Sequence, residues 1–249
     1  MHFLSHNKPV QPGFIQYFYV MQPKTPYGLM AMEPLLKVED LDVLLDQANK
    51  KQMEVLCLPP LMIRHARQTA HDKGIRLATI IGYPFGYPAI ESKLAEMVLA
   101  IVDGVDDLYI CAKQTAIRNN DWQYIARELG TLLPVARNKQ KKIFLVTELS
   151  FLTEEDILRC ADIFGAAGVD GIITSTGLFA GLNHADKLAS YRQFLAEAVP
   201  VLETLPDNVN PELHLSTGAN GFFVKSGISL PKAVSLLQDG MFFEQPHQN

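Results

Sequence analysis

Two lysines and one glutamate of this chain stand where short apolar runs end. Lys225 closes one such run, Lys113 lies two residues beyond another, and Glu148 directly follows a third. A neutral lysine amine can attack a carbonyl carbon to form an imine, and a carboxylate can take up or release a proton. A second interpretation stays open for each, because lysine is usually a solvated charge and Glu148 would serve equally as a hydrogen-bonded structural carboxylate. These three residues are candidate catalytic groups.

A serine, a threonine and a glycine follow a fourth apolar run. The stretch 170–177 reads DGIITSTG, so the chain passes from Thr174 straight into Ser175, Thr176 and Gly177. Small hydroxyl residues and glycine are typical of the turn between a strand and a helix, where they cap free backbone amides. The sequence therefore predicts a strand-to-helix turn at this point.

Eight apolar runs alternate along the chain with stretches of helical periodicity. Strands separated by single helices indicate a parallel sheet, and eight of them favour a closed barrel over an open, doubly wound sheet. The predicted fold class is α/β, a single-domain (β/α)₈ or TIM barrel. Thr153 and Gly168 are predicted to cap the two ends of the fifth helix. The predicted strands are 28–32, 54–58, 77–81, 107–111, 143–147, 171–174, 221–225 and 241–243, and the predicted helices are 40–51, 61–73, 92–103, 122–137, 154–167, 185–197 and 231–238.

The composition is that of a soluble globular protein. Hydrophobic residues make up 48% of the 249 residues and charged residues 20%, with a formal net charge of -5. This mild acidic excess gives no general attraction to nucleic acid or to an anionic membrane. No apolar run is long enough to span a bilayer and no secretory signal opens the chain, so the expected location is cytoplasmic. Three widely spaced cysteines within apolar runs are predicted to be buried free thiols: Cys57, Cys111 and Cys160.

Two segments fall outside the alternation of strands and helices. Residues 1–27 are rich in proline and aromatic side chains, which predicts an irregular arm packed over one end of a barrel domain formed by residues 28–249. An oligomer contact is the alternative interpretation of this arm. Prolines and glycines in the stretch 205–221 predict a long loop. The histidines show no metal-ligand spacing, so neither a metal site nor a cofactor is predicted from His65, His71, His184 and His214.

The stretches 170–177 (DGIITSTG) and 79–86 (TIIGYPFG) together resemble the deoxyribose-phosphate aldolase family. In that family one barrel strand ends in V-K-T-S-T-G and an earlier one ends in T-V-I-G-F-P-L-G. Three further segments agree in order and spacing: 35–37 (LLK), 55–60 (VLCLPP) and 146–156 (VTELSFLTEED). The resemblance covers most of the chain. It implies a TIM barrel with the ancestry of a class I aldolase and a small carbonyl compound or sugar phosphate as ligand.

The residues that carry out the chemistry of this family are not retained. Its aldolases form an imine on a lysine that directly precedes T-S-T-G, and the residue in this place is Ile173, which has no nucleophile. An aspartate of the fourth strand that works in proton transfer is matched by Tyr109, a phenol whose ordinary pKa near 10 makes it a poor general base. The family's I-D-H-T is matched by 31–34 (AMEP), and a family asparagine by Pro59. The resemblance thus implies a divergent member without the Schiff-base lysine.

The second lysine of the family, on its seventh strand, has two candidate positions in this chain. The segment 222–229 reads FFVKSGIS, and an ungapped comparison places Phe223 there, whereas a one-residue deletion places Lys225 there. The resemblance also implies phosphate binding by the turn 174–177 and by Ser226 and Gly227, which stand where the family has a pair of glycines. The family's third phosphate turn, after strand eight, has no counterpart.

Three functions of different classes are consistent with these patterns. The first, which the retained scaffold motifs favour, is a barrel that has given up imine chemistry and binds a small polar or phosphorylated carbonyl compound. The second is an active aldolase or other lyase whose amine has moved to Lys225 or Lys113. The third is an oligomeric interaction protein that uses the N-terminal arm, with the barrel as scaffold. Whether the chain is an enzyme is left open by the sequence.

Overall fold

The chain folds into a closed barrel of eight parallel strands that follow one another in chain order. Each strand pairs in parallel with the next, and the last returns to pair with the first. The predicted (β/α)₈ barrel is confirmed. The computed structural model describes residues 26–178, 185–195, 199–205 and 219–226.

Helices connect most of the successive strands. None of the helices in the described ranges has the length and hydropathy needed to cross a membrane. The strands are β1 (Pro26–Met30), β2 (Val55–Cys57), β3 (Arg76–Ile81), β4 (Asp107–Cys111), β5 (Lys142–Val146), β6 (Gly171–Ile173), β7 (Val201–Thr204) and β8 (Gly221–Lys225). The α-helices are α1 (Leu41–Lys50), α2 (Pro60–Asp72), α3 (Ile90–Asp103), α4 (Gln114–Arg118), α5 (Trp122–Asn138), α6 (Glu154–Ala167) and α7 (Ala185–Phe194).

The predicted order of the last strands is wrong. The sequence analysis does not predict β7, because this strand has only four residues and just two of them, Val201 and Leu202, are apolar. The run 221–225 is therefore the eighth strand and not the seventh, and it closes the barrel against β1. The other six predicted strands that fall within the described residues are confirmed to within two residues at each end. Several predictions lie outside the described residues: the strand 241–243, the helix 231–238, the arm up to residue 25 and the loop 206–218.

Alternate strand residues fill the interior of the barrel with apolar side chains. Tyr109 packs edge-on against Phe144, with ring centroids 5.3 Å apart, and against Phe223 at 5.7 Å. Tyr27 packs in the same way against Phe223 at 5.5 Å. These ring contacts run from the amino-terminal end, where Tyr27 lies, to the centre of the barrel. The inner cluster consists of Met30, Val55, Cys57, Ala78, Ile80, Tyr109, Cys111, Phe144, Val146, Ile173, Leu202 and Phe223.

Both ends of helix α6 are fixed by its own sequence. The Thr153 hydroxyl accepts a hydrogen bond from the Asp156 amide at 3.2 Å, and the Asp156 carboxylate accepts one from the Thr153 amide at 2.8 Å. This reciprocal pair satisfies two backbone amides that the first turn leaves free. Gly168 ends the helix in the left-handed region with φ +69°, so the predicted caps are confirmed.

Lys93 of α3 is fully buried and joins three elements beside the carboxyl end of β4. Its ammonium group donates to the Cys111 carbonyl oxygen and to the Glu128 carboxylate of α5, each at 2.7 Å. Gly82 leaves room for this side chain, since a Cβ at Gly82 would lie 2.7 Å from Lys93 Cε. The ion pair therefore holds α3 and α5 against the end of β4.

Removal of the Lys93 ammonium should leave the Glu128 carboxylate buried without its cation. We expect Lys93→Met to lower the free energy of unfolding by about 3 kcal/mol, and the double variant Lys93→Met with Glu128→Leu to lose less, because a buried charge without a partner costs more than the loss of both. Urea denaturation of the three proteins measures this. A single variant as stable as the wild type would contradict the expectation.

Candidate functional site

The carboxyl ends of all eight strands open on one face of the barrel, and this face brings several of the predicted site residues together. Gly177, in the turn after β6, has φ +87°, and a Cβ at this position would lie 3.4 Å from Lys225 Cε. A Cβ on Gly177 would also lie 3.2 Å from Met30 Sδ and 3.5 Å from Thr204 Cγ2. Side chains from β1, β7 and β8 thus converge on the turn after β6, and we call this region the mouth.

Lys225 lies at the mouth, on the inward face of β8. It follows the inward-pointing Phe223 by two residues, and neighbouring residues of a strand point to opposite sides. Its backbone is in register with Met30 of β1, and its side chain is half-buried. The sequence analysis compares the segment 222–229 with the family's seventh strand. The topology corrects this comparison, because residues 221–225 form the eighth strand. On the actual seventh strand the inward positions belong to Leu202 and Thr204, neither of which carries an amine.

Ile173 points into the barrel and is fully buried. Its register partners are Val146 on β5 and Leu202 on β7, which also belong to the inner cluster. The position that the resemblance assigns to the imine-forming lysine thus lies among apolar side chains. No lysine of β5, β6 or β7 points into the interior at this height.

Glu148 is buried and fixes the turn after β6. Its carboxylate accepts hydrogen bonds from the Ser175 hydroxyl at 2.9 Å, from the Thr176 amide at 2.5 Å and from the Thr176 hydroxyl. The Gly177 amide donates to the Ser175 hydroxyl oxygen at 3.0 Å. Two backbone amides that would face an anion in a phosphate cradle thus have acceptors within the protein. This arrangement favours the structural interpretation of Glu148.

Thr204 adds a contact that the sequence analysis does not contain. Its hydroxyl donates to the Ser175 carbonyl oxygen at 2.7 Å, and its amide donates to the Thr174 hydroxyl oxygen at 3.1 Å. These bonds connect β7 to the turn after β6. The sequence analysis does not contain them because it does not predict β7. On the other side of the mouth the Ser226 hydroxyl donates to the Glu33 carboxylate. Gly227, the neighbour of Ser226, lies outside the described residues.

Tyr109 lies deep in the interior and away from the turn. Its hydroxyl is buried and has no hydrogen-bond partner among the described residues. Burial raises the pKa of Tyr109 well above its ordinary value, and the nearby Asp107 and Tyr27 raise it further. A phenol in this state stays protonated near neutral pH, so the geometry gives no support to a role as general base.

Lys113 points to the outer helices. Its ammonium group lies 4.6 Å from the ring centroid of Tyr124 on α5, 3.3 Å from the Tyr124 hydroxyl and 3.3 Å from the Tyr87 carbonyl oxygen. These contacts hold the amine on the outside of the barrel, beside α5. Among the candidate amines, Lys225 is the one that lies beside the turn after β6.

The three cysteines are buried free thiols, as predicted. Burial raises the pKa of Cys57, Cys111 and Cys160, which keeps each sulfur protonated and unreactive. Within the described part of the chain, no three side chains of histidine, cysteine, aspartate or glutamate are grouped as metal ligands.

A second polar group lies at the opposite, amino-terminal end of the barrel. Arg76 donates to the Tyr27 hydroxyl at 2.7 Å and pairs with the buried Asp107 carboxylate at 3.0 Å. Burial raises the pKa of Asp107 to about 6, although Arg76 acts in the opposite direction. A cavity of about 220 Å³ adjoins this group, lined by Tyr27, Glu54, Arg76, Lys142, Phe144, Asp170, Pro200 and Leu202.

Comparison with known proteins relates the chain to aldolases. No family model matches it. It is 29% identical over 152 residues to the deoxyribose-phosphate aldolase of Thermococcus gammatolerans, a match that covers 60% of this chain and 68% of the relative. The deoxyribose-phosphate aldolase of Clostridium botulinum is 24% identical over 203 residues, which covers 81% of this chain and 95% of the relative. The resemblance predicted from the motifs is confirmed.

Solved structures agree on the fold. A protein named "QR15, an Aldolase" superposes with a TM-score of 0.74 at 22% identity and covers 89% of this chain and 99% of its own. The deoxyribose phosphate aldolase from Aeropyrum pernix, described as tetrameric, superposes with a TM-score of 0.72 at 18% identity and covers 86% of this chain and 91% of its own. At such identities these matches establish a shared barrel.

The raised pKa of Asp107 predicts a specific pH dependence of stability. Between the ordinary pKa of 3.8 and the folded value of about 6, the folded state holds a proton that the unfolded state has released, so stability falls as pH rises through this interval. We expect this fall to be smaller in Asp107→Asn, by up to about 3 kcal/mol. Urea denaturation between pH 4 and about 7 measures it, with the exposed Asp42→Asn on α1 as control. If the free energy of unfolding fell equally with pH in Asp107→Asn and in the wild type, the raised pKa of Asp107 would be contradicted.

Proposed function

Because the chain is similar to deoxyribose-phosphate aldolases over most of its length, we propose that its mouth binds a small polar or phosphorylated carbonyl compound without forming an imine at position 173. The observation that carries this proposal is that Ile173, which the resemblance aligns with the family lysine, has its side chain fully buried in the barrel. An imine requires an amine nitrogen, and an isoleucine has none.

The mouth offers groups that suit an oxygen-rich ligand. The Lys225 side chain lies beside Gly177, and its ammonium carries a positive charge that attracts carbonyl, hydroxyl or phosphate oxygen. The hydroxyls of Ser226 and Thr204 lie at the ends of the neighbouring strands. Polar groups around an apolar floor are typical of small-molecule sites.

Glu148 bears on whether the ligand carries a phosphate. Its carboxylate already accepts hydrogen bonds from the Thr176 amide and from the hydroxyls of Ser175 and Thr176. A phosphate at this turn would have to compete with an internal anion, so its binding there is disfavoured. We therefore expect the phosphate of a sugar phosphate to add little affinity, and the contact with Lys225 to contribute more.

Calorimetric titration with 2-deoxyribose and with 2-deoxyribose 5-phosphate tests the binding site. We expect both to bind with dissociation constants within about tenfold of each other, and Lys225→Met to weaken binding by about tenfold or more, since one charge-assisted hydrogen bond is worth about 1.5 to 3 kcal/mol. Lys113→Met serves as the matched control, because its amine lies beside Tyr124, and should leave binding unchanged. Binding of neither compound would contradict the proposal.

A second candidate function is an aldolase or other lyase that forms its imine on Lys225. The specific observation in its favour is the position of Lys225, which lies on the inward face of the last strand. Its Cε is 3.4 Å from the point that a Cβ on Gly177 would occupy. An amine there would meet a carbonyl compound that enters the mouth. This candidate requires a fraction of the amine to be neutral, since the protonated form is not a nucleophile.

Borohydride reduction in the presence of acetaldehyde separates the two candidates. Reduction of an imine leaves a stable adduct that mass spectrometry assigns to one lysine. Under the first proposal no adduct forms on residue 225, while the calorimetric binding persists. An adduct on Lys225 that Lys225→Met abolishes and Lys113→Met retains would replace the first proposal by the second.

A further inference from the structure

The cavity at the amino-terminal end of the barrel, about 220 Å³ in volume, shares no lining residue with the mouth. Phe144 and Leu202 of the inner cluster form its apolar wall, together with Pro200 and Tyr27. Four charged side chains complete the lining. We call this cavity the amino-terminal pocket, and its charged members are Glu54, Arg76, Lys142 and Asp170.

Charges of alternating sign stand where five consecutive strands begin. An acidic residue precedes β2, a basic residue opens β3, an acidic residue opens β4, a basic residue opens β5 and an acidic residue precedes β6. In this order they are Glu54, Arg76, Asp107, Lys142 and Asp170. The starts of parallel strands meet at one end of a barrel, so these charges form an arc beside the pocket. A ligand that enters the pocket therefore meets both signs of charge.

The first three charges of the arc contact one another. Arg76 pairs with the Asp107 carboxylate at 3.0 Å and lies 4.0 Å from the Glu54 carboxylate. The Nε atom of Arg76 is buried and has no hydrogen-bond partner among the described residues. A buried N–H group without an acceptor is uncommon in folded proteins, and it indicates an acceptor from outside the described chain.

The last two charges of the arc lack a charged partner. Neither Lys142 nor Asp170 forms an ion pair within the described part of the chain. The Asp170 carboxylate accepts a hydrogen bond from the Ile143 amide at 2.8 Å, which places it beside the backbone that carries Lys142. A cation and an anion without charged partners thus stand on neighbouring strands at the edge of the pocket.

From this arrangement we propose that the amino-terminal pocket binds a free α-amino acid with an apolar side chain. The ammonium group of this ligand pairs with Asp170, and its carboxylate accepts hydrogen bonds from Lys142 and from Nε of Arg76. Both groups are attached to one carbon atom, which suits opposite charges on neighbouring strands. The apolar side chain of the ligand packs against Phe144 and Leu202.

Size and charge separate this ligand class from that of the mouth. The pocket volume of about 220 Å³ lies below the roughly 300 to 1,000 Å³ of pockets for drug-sized ligands, and it holds a compound of about ten non-hydrogen atoms. A phosphate dianion would face the carboxylates of Glu54 and Asp170 as well as the two cations, whereas a zwitterion pairs with both signs of charge. The apolar wall favours a hydrocarbon side chain over a hydroxylated sugar.

Calorimetric titration of the full chain with L-leucine tests the proposal. We expect L-leucine to bind at least about tenfold more tightly than 4-methylpentanoate, which lacks the amine, and 3-methylbutylamine, which lacks the carboxylate. Glycine should also bind at least about tenfold more weakly than L-leucine, because it has no side chain to bury. No binding of L-leucine, or equal binding of L-leucine and the two analogues, would overturn the proposal.

Two charge variants locate the binding site. Lys142→Met and Asp170→Asn should each weaken L-leucine binding by at least about tenfold, because each removes one of the two pairing charges. The second substitution keeps an oxygen that can accept the Ile143 amide. Lys139→Met changes an exposed lysine at the end of α5 and serves as the matched control, with binding unchanged. Unchanged binding in both pocket variants, shown to be folded by circular dichroism, would overturn the proposal.

The two ends of the barrel can be tested against each other, since this inference does not depend on the function proposed for the mouth. Lys142→Met should leave the binding of 2-deoxyribose unchanged, and Lys225→Met should leave the binding of L-leucine unchanged. Loss of L-leucine binding in Lys225→Met but not in Lys142→Met would assign the amino acid to the mouth and overturn the proposal. Failure of 2-deoxyribose to bind bears on the mouth alone.

Discussion

A closed barrel of eight parallel strands has one narrow interior, and every second strand residue must fit into it. In this chain the available space is taken by hydrocarbon and aromatic rings, with Tyr109, Phe144 and Phe223 at the centre. Polar side chains that meet one another therefore do so where the strands end. The height of a residue along its strand thus decides its chemical surroundings as much as its type does.

This constraint explains which parts of the fold can be predicted from the sequence. Burial on both faces makes a strand of a parallel barrel a short apolar run, and seven such runs coincide with strands of the structure. β7 escapes the pattern because Glu203 and Thr204 make up half of it. Both are buried, and the partners of Thr204 are Thr174 and Ser175, which lie distant in sequence in the turn after β6. A local pattern carries no information about such partners.

The same distinction applies to the candidate site. The inward direction of Ile173 follows from strand alternation and from the motif that contains it. The direction of Lys113 does not, because its partner Tyr124 belongs to a helix on the outside of the barrel. The carboxylate of Glu148 likewise meets Ser175 and Thr176 only when β5 and β6 lie side by side. The sequence can thus predict where a strand ends, whereas the fold decides what a polar side chain finds there.

The rings in the middle of the barrel separate two polar ends of different character. The carboxyl-terminal end holds Lys225 beside a turn of hydroxyl groups, and the amino-terminal end holds the Arg76–Asp107 pair. Because packed side chains fill the interior of such a barrel, a compound that enters at one end is expected to leave by the same end. Substitutions at the amino-terminal end are therefore expected to change the stability of the barrel and to leave the route of a ligand unchanged.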